Sequence, residues 1–165
     1  MNRREALKAI SILIGGAITP SAHARLFTQQ SDTPLGYEVL NKAQIALVVQ
    51  MSDLILALDE HQKPIFNLVA FVDLMLAHTV ALEERTVCLQ GGDLIIAKSN
   101  HACTLEDILR ALFDIDARQL QHILAVQELP LPEVEEAHKK SYLMYKFIFT
   151  VREFLLLGYF TAQQN

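Results

Sequence analysis

An all-α fold, a compact bundle of about five to six helices, is what three features of this 165-residue sequence predict. Apolar residues recur at helical spacing through most of the chain, and capping residues stand just ahead of several of those runs. Pro64, Pro130 and Pro132 fall between the runs, where prolines can open a new helix but not interrupt one. No internal repeat or low-complexity segment disturbs the pattern.

Residues 1–24 are expected to stand apart from that bundle. Arg3 and Arg4 are adjacent, an uncharged run follows from Ala9 to Thr19, and Ala22-His23-Ala24 offers small residues for cleavage. Basic, apolar and small-residue regions in that order make a secretory signal peptide, and the paired arginines place it in the twin-arginine variety. The apolar run is about half of the roughly 20 residues that a membrane span requires. The chain is therefore expected in the periplasm, with Arg3 and Arg4 for targeting and Ala22 and Ala24 at the cleavage site. Residues 25–38, polar and without a period, read as a flexible arm, and residues 39–165 as a single helical domain.

Within the domain, Asn41 with Gln44 three residues on resembles a capping box, and Leu40 can staple onto Ile45. The helix this opens, over about residues 42–58, carries Ile45, Val48, Val49, Leu54, Ile55, Leu56 and Leu58 around most of its circumference. It is expected at the centre of the core. After a polar break, Pro64 suits the first position of a second helix, with Ile65, Leu68, Val69, Val72, Leu76 and Val80 in helical register. This helix runs on into residues 81–90 or kinks near His78 and Thr79 ahead of them. Gly91 and Gly92 weaken it, and 93–98 can resume it.

Thr104 with Asp107 forms a second capping box, opening a short helix to about Phe113. Asp116 caps residues 117–127, with Leu120, Ile123 and Leu124 expected to face inward. From Pro132 to about Leu157 runs the last helix, with acidic residues at its start and Gly158 as its C-terminal cap. Residues 145–151 have strand-like composition. No turn residue breaks the much longer run around them, so they read as helix.

Charge and composition narrow the function. Removing the signal takes away three basic residues and one acidic one, moving the net charge from −5 to −7. An acidic domain without a basic cluster has no electrostatic footprint for nucleic acid. Apolar types reach 52% against 20% charged. That surplus is accounted for either by a tight helical core or by apolar surface that a partner covers.

The sequence carries no Gly-x-Gly-x-x-Gly, Cys-x-x-Cys-His, His-Glu-x-x-His or Gly-x-Ser-x-Gly signature. Cys88 and Cys103, fifteen positions apart, can close a disulfide in an oxidising compartment or stay as two unpaired buried thiols. With His101 they offer three soft ligands, short of the four that structural zinc sites use, so no metal is expected. Asp59, Glu60 and His61 form an acidic-imidazole cluster in a helix-ending loop, where solvated charges belong. Glu83, Glu84 and Arg85 read as a solvated helix face, and His122 and His138 as exposed helix positions. Seven aromatics, Tyr142, Tyr145, Phe147, Phe149, Phe154, Tyr159 and Phe160, crowd the last helix. They are either core at the ends of the bundle or partner anchors, and the density favours an interface around Tyr142, Tyr145, Phe149, Phe154, Tyr159 and Phe160.

Four features together resemble one known family. They are the paired arginines, Asp53-Leu54-Ile55-Leu56 late in the first helix, Phe71-Val72-Asp73-Leu74-Met75-Leu76 in the second, and Leu157-Gly158-Tyr159-Phe160-Thr161 at the close. Over residues 40–161 the chain is similar to the small third subunit of gluconate 2-dehydrogenase. Where family members place a proline and then a Pro-Gly-Ala turn, this chain has Ala57 and the loop at 59–64. The resemblance implies a non-catalytic accessory subunit that supports twin-arginine export, assembly and stability of a large flavin-containing dehydrogenase subunit. FAD and haem c would then reside in partner subunits, a dehydrogenase and a membrane-attached cytochrome c, with no cofactor in this chain. The alternatives are a stand-alone periplasmic helical protein that binds a ligand or signal, and an enzyme working through residues 59–61.

Overall fold

A single long helix forms the axis of the domain. The computed structural model describes residues 36–56, 67–99 and 103–163. Among them are six α-helices and no strand: α1 (Lys42–Leu56), α2 (Leu68–Thr79), α3 (Leu82–Ser99), α4 (Leu105–Phe113), α5 (Ala117–Gln127) and α6 (Glu136–Gln163). A short 3₁₀ turn, Leu131–Glu133, precedes α6. The 28 residues of α6 span about 42 Å at 1.5 Å per residue. It lies along α3 and α2, while α1 and α4 complete the shell and α5 packs chiefly on α6.

The expected centre was the first helix, and the structure moves it. Gln44, Leu47, Val48 and Met51 of α1 are buried, but Val49 and Leu54 stay over 40% exposed. From α6, Phe147, Ile148, Val151 and Leu155 are almost wholly buried, with Met144, Tyr145 and Phe154 beside them. A helix this long passes every other packed element, so its stripe can meet α1, α2 and α3 together.

Caps define most helix starts. The Asn41 side chain accepts from the N–H groups of Ala43 and Gln44 (2.9 and 3.0 Å), and Gln44 accepts from the N–H of Asn41 (3.1 Å). Thr104 with Asp107 and Asp116 with Gln119 form the same reciprocal box at α4 and α5. Helix α2 starts later than Pro64 implied. Asn67 is in an extended conformation (φ −72°, ψ 103°), and its side chain accepts from Val69 and Ala70. Each such cap satisfies orphan donors and is worth about 1 kcal/mol.

Helices α2 and α3 are separate, divided at Val80, which is extended (φ −101°, ψ 128°). Arg85 reaches back from α3 to donate to the Ala77 carbonyl oxygen (2.8 Å), so it closes the C-terminus of α2 instead of standing on a solvated face.

Three glycines behave differently from their sequence reading. Gly91 and Gly92 do not interrupt α3, and Gly158 lies inside α6, which continues to Gln163. All three are points of close approach. A Cβ on Gly91 would stand 1.9 Å from the Leu143 carbonyl oxygen, one on Gly92 2.7 Å from the Phe147 ring, and one on Gly158 2.8 Å from the Phe71 ring. The α3–α6 and α2–α6 contacts are thus set where a side chain is missing. Covered by α6, the paired glycines keep helical backbone despite their poor propensity.

The two α3 glycines should separate in a stability test. Gly91→Ala meets backbone that cannot step aside without moving α6, and is expected to cost about 3 kcal/mol or more. Gly92→Ala meets a ring edge and gains about 1 kcal/mol of helix propensity, so its net cost is expected to be smaller. Urea unfolding of both variants checks the order.

Candidate functional site

Most of the aromatics of the last helix are core. Tyr142, Tyr145 and Phe154 are between 4 and 7% exposed, and Phe147 is wholly buried. Phe149 and Tyr159 are half-buried, and only Phe160, at 57%, stands out into solvent. Of the expected partner-binding set, Tyr142, Tyr145 and Phe154 are thus buried within this chain and Phe160 is exposed. The tyrosine hydroxyls have internal work: Tyr142 donates to the Leu129 carbonyl (3.0 Å) and Tyr145 to that of Leu112. Burial raises both phenols above their usual range, and Glu84 adds to the effect at Tyr142. Tyr145 and Phe149 stack at 5.7 Å, and Phe113 meets both edge-on at about 6 Å.

The apolar surface lies elsewhere. Helix α5 has no buried residue. Leu120 and Leu124, expected to face inward, are 38% and 48% exposed, while Ile123 is half-buried against the core. Leucines at i and i+4 share one stripe. Phe113 and Leu129, which flank α5 in the chain, are about 40% exposed.

The joint between α5 and α6 is largely polar. Gln127 Nε2 donates to the Tyr142 carbonyl (3.1 Å), while Gln127 Oε1 is buried without a hydrogen-bond partner. His122 and His138 face each other across it, ring centroids 6.1 Å apart. Both are exposed, and His138 Nδ1 lies 3.7 Å from Glu135.

Two polar groups are buried and make long-range contacts that the sequence reading did not anticipate, although it paired Gln44 with Asn41 as a cap. Asp73, 4% exposed, accepts three backbone N–H groups: Glu38 at 2.7 Å on Oδ2, Val39 at 3.1 Å and Leu40 at 2.8 Å on Oδ1. The last residues of the expected flexible arm, Tyr37 and Glu38, are therefore held to the domain. Gln44, 3% exposed, caps α1 with its oxygen and donates its Nε2 to Asp93 of α3 (2.9 Å). The signal for Asp73 was present in the sequence as one carboxylate in an otherwise apolar stretch, residues 68–76.

Cys88 and Cys103 are free thiols, one buried in α3 and one exposed before α4, so the pair forms no bridge here. Burial pushes the Cys88 thiol up to about 11, opposed by a hydrogen bond with Thr150 and by the Lys146 charge. Among the described residues no three His, Cys, Asp or Glu side chains converge as a metal site. No described helix is long and apolar enough to cross a membrane. Arg3, Arg4, Ala22, Ala24, Asp59, Glu60, His61 and His101 lie outside the described residues.

No protein-family model, curated protein or solved structure matches the chain.

The two thiols should be chemically distinct. At pH 8 a thiol-exchange reagent is expected to titrate Cys103 promptly in the native protein and Cys88 only after denaturation, because the thiolate is the reactive form. Prompt reaction of both would contradict the burial of Cys88. A disulfide-linked chain would react at neither until reduced.

Proposed function

We propose that this chain is a non-catalytic small subunit that supports twin-arginine export, assembly and stability of a periplasmic FAD-dependent sugar or sugar-acid dehydrogenase, of the gluconate 2-dehydrogenase subunit 3 type. The observation that carries the reading is the apolar flank of α5. A helix with a full capping box that leaves Leu120 and Leu124 in solvent is well formed yet incompletely covered. Apolar residues at helical spacing on such a flank are what a partner's groove or helix takes up. The large flavin subunit is the proposed occupant. Docking shifts from the aromatic stripe of α6, most of which is core, to α5, which Phe113 and Leu129 flank in the chain. FAD and haem c belong to the partner subunits, and this chain contributes export through Arg3 and Arg4 and a covering surface.

Two experiments test the parts separately. Leu120→Glu with Leu124→Glu is expected to change unfolding free energy by about 1 kcal/mol or less. It should nevertheless abolish co-purification of a larger, flavin-coloured chain from periplasm and membranes under gentle conditions. A colourless single chain from the unaltered protein would sink the subunit reading outright. For targeting, Arg3→Lys with Arg4→Lys should strand this chain and its partner in the cytoplasm, and unchanged export would show the arginine pair to be incidental.

A further inference from the structure

We infer that residues 37–40 are a latch, closed onto α2 by the Asp73 carboxylate and able to open while the helical core stays folded. Asp73 is the only buried acidic or basic residue among those described. The three hydrogen bonds that described residues donate to it come from consecutive N–H groups of this one segment. Consecutive amides converging on an anion form a nest, and a buried carboxylate needs those donors to offset its lost hydration. The bonds share one acceptor group and are made or lost together. With the segment in place Asp73 is dry and satisfied, and with it lifted away the carboxylate is open to water. A half-open arrangement leaves a buried charge short of donors, so two states are favoured over a continuum.

Among the described residues, few buried apolar contacts hold the segment besides these hydrogen bonds. Leu40 is its only buried side chain, with Tyr37 and Val39 half-buried and Gly36 and Glu38 exposed. Its outer contacts are long or solvent-facing: Asn67 Nδ2 to the Tyr37 hydroxyl at 3.5 Å, and His78 Nε2 to Glu38 at 3.3 Å with both side chains about one-third exposed. Surface pairs of this kind contribute little. Segments with few buried apolar contacts open ahead of the core. The hinge falls between Leu40 and Asn41, because Asn41 belongs to the α1 capping box, which does not involve Asp73.

Native-state hydrogen exchange on the full chain, read residue by residue by NMR, tests this. In the unaltered protein the amides of Glu38, Val39 and Leu40 are expected to be protected and to share one opening. That opening should exceed that of Phe147 and Ile148 in α6 by about tenfold or more. Asp73→Ala should free all three amides while Phe147 and Ile148 keep their protection. Asp73→Asn keeps one carbonyl oxygen for Val39 and Leu40 but turns an amide nitrogen toward Glu38, so Glu38 should be freed most. If the three amides open only with α6, or are unprotected in the unaltered protein, the latch is wrong. Should Asp73→Ala not fold, the unaltered protein and Asp73→Asn still decide between these outcomes.

Discussion

The close approach of α3 and α6 at Gly91 is the constraint on which the rest of the domain depends. Helix pairs usually keep about 8–10 Å between axes, set by the side chains at the crossing. Here the crossing residue has no side chain, and the Leu143 carbonyl occupies the space that a Cβ would fill. That allows the Phe147 ring to lie over Gly92 and to be wholly buried. Each glycine costs the isolated helix about 1 kcal/mol relative to alanine. Burying Phe147 and its neighbours on α6, at about 1.5–3 kcal/mol per large side chain, more than offsets that loss. With α6 seated on α3, the stripe from Tyr145 to Leu155 is positioned to receive α1 and α2, and Gly158 brings α2 in by the same device at the far end.

Buried polar groups add specificity to a core that is otherwise apolar and tolerant of repacking. Gln44 uses its oxygen to cap α1 and its nitrogen to reach Asp93, so the start of α1 is tied to one place on α3. Asp73 ties the segment before α1 to the middle of α2. A rotation of either helix would strand a buried polar group, which is more costly than a loss of apolar contact alone. Capping boxes at α1, α4 and α5 are local and set where helices start. The Gln44 and Asp73 contacts are long-range and set how helices sit on one another.

The surface is divided unevenly. Around α1, α2, α3 and α6 most large apolar side chains are covered, and Tyr142 and Tyr145 of α6 have their hydroxyls satisfied within the domain. The α4–α5 segment departs from this. Its helices are well capped, yet α5 contributes no fully buried residue and meets α6 through an amide with one unpartnered oxygen. Local helical stability and tertiary burial are separable, and α5 has the first without much of the second. That imbalance, not a cluster of catalytic groups, is what the described residues offer as a functional feature.

Periodicity and capping are short-range properties, and these were legible in the chain alone. The all-α class, the boxes at Asn41 and Thr104, the cap at Asp116 and the span of α5 follow from residues within four positions of each other. What the chain alone left open or misplaced depends on partners far away in sequence. Leu120 and Leu124 have an inward-facing pattern, but no element among the described residues covers them. Tyr142, Tyr145 and Phe154 look like anchors for another molecule until α3, α4 and α5 close around α6. Gly158 looks like a helix end, yet Phe71 of α2 fills its space. Asp73 is one carboxylate in an apolar stretch, and its three N–H donors come from the 37–40 segment, more than thirty residues earlier. A helix is closed by hydrogen bonds within one turn and can be read from one turn of sequence, whereas burial is settled only by what else the folded chain places alongside.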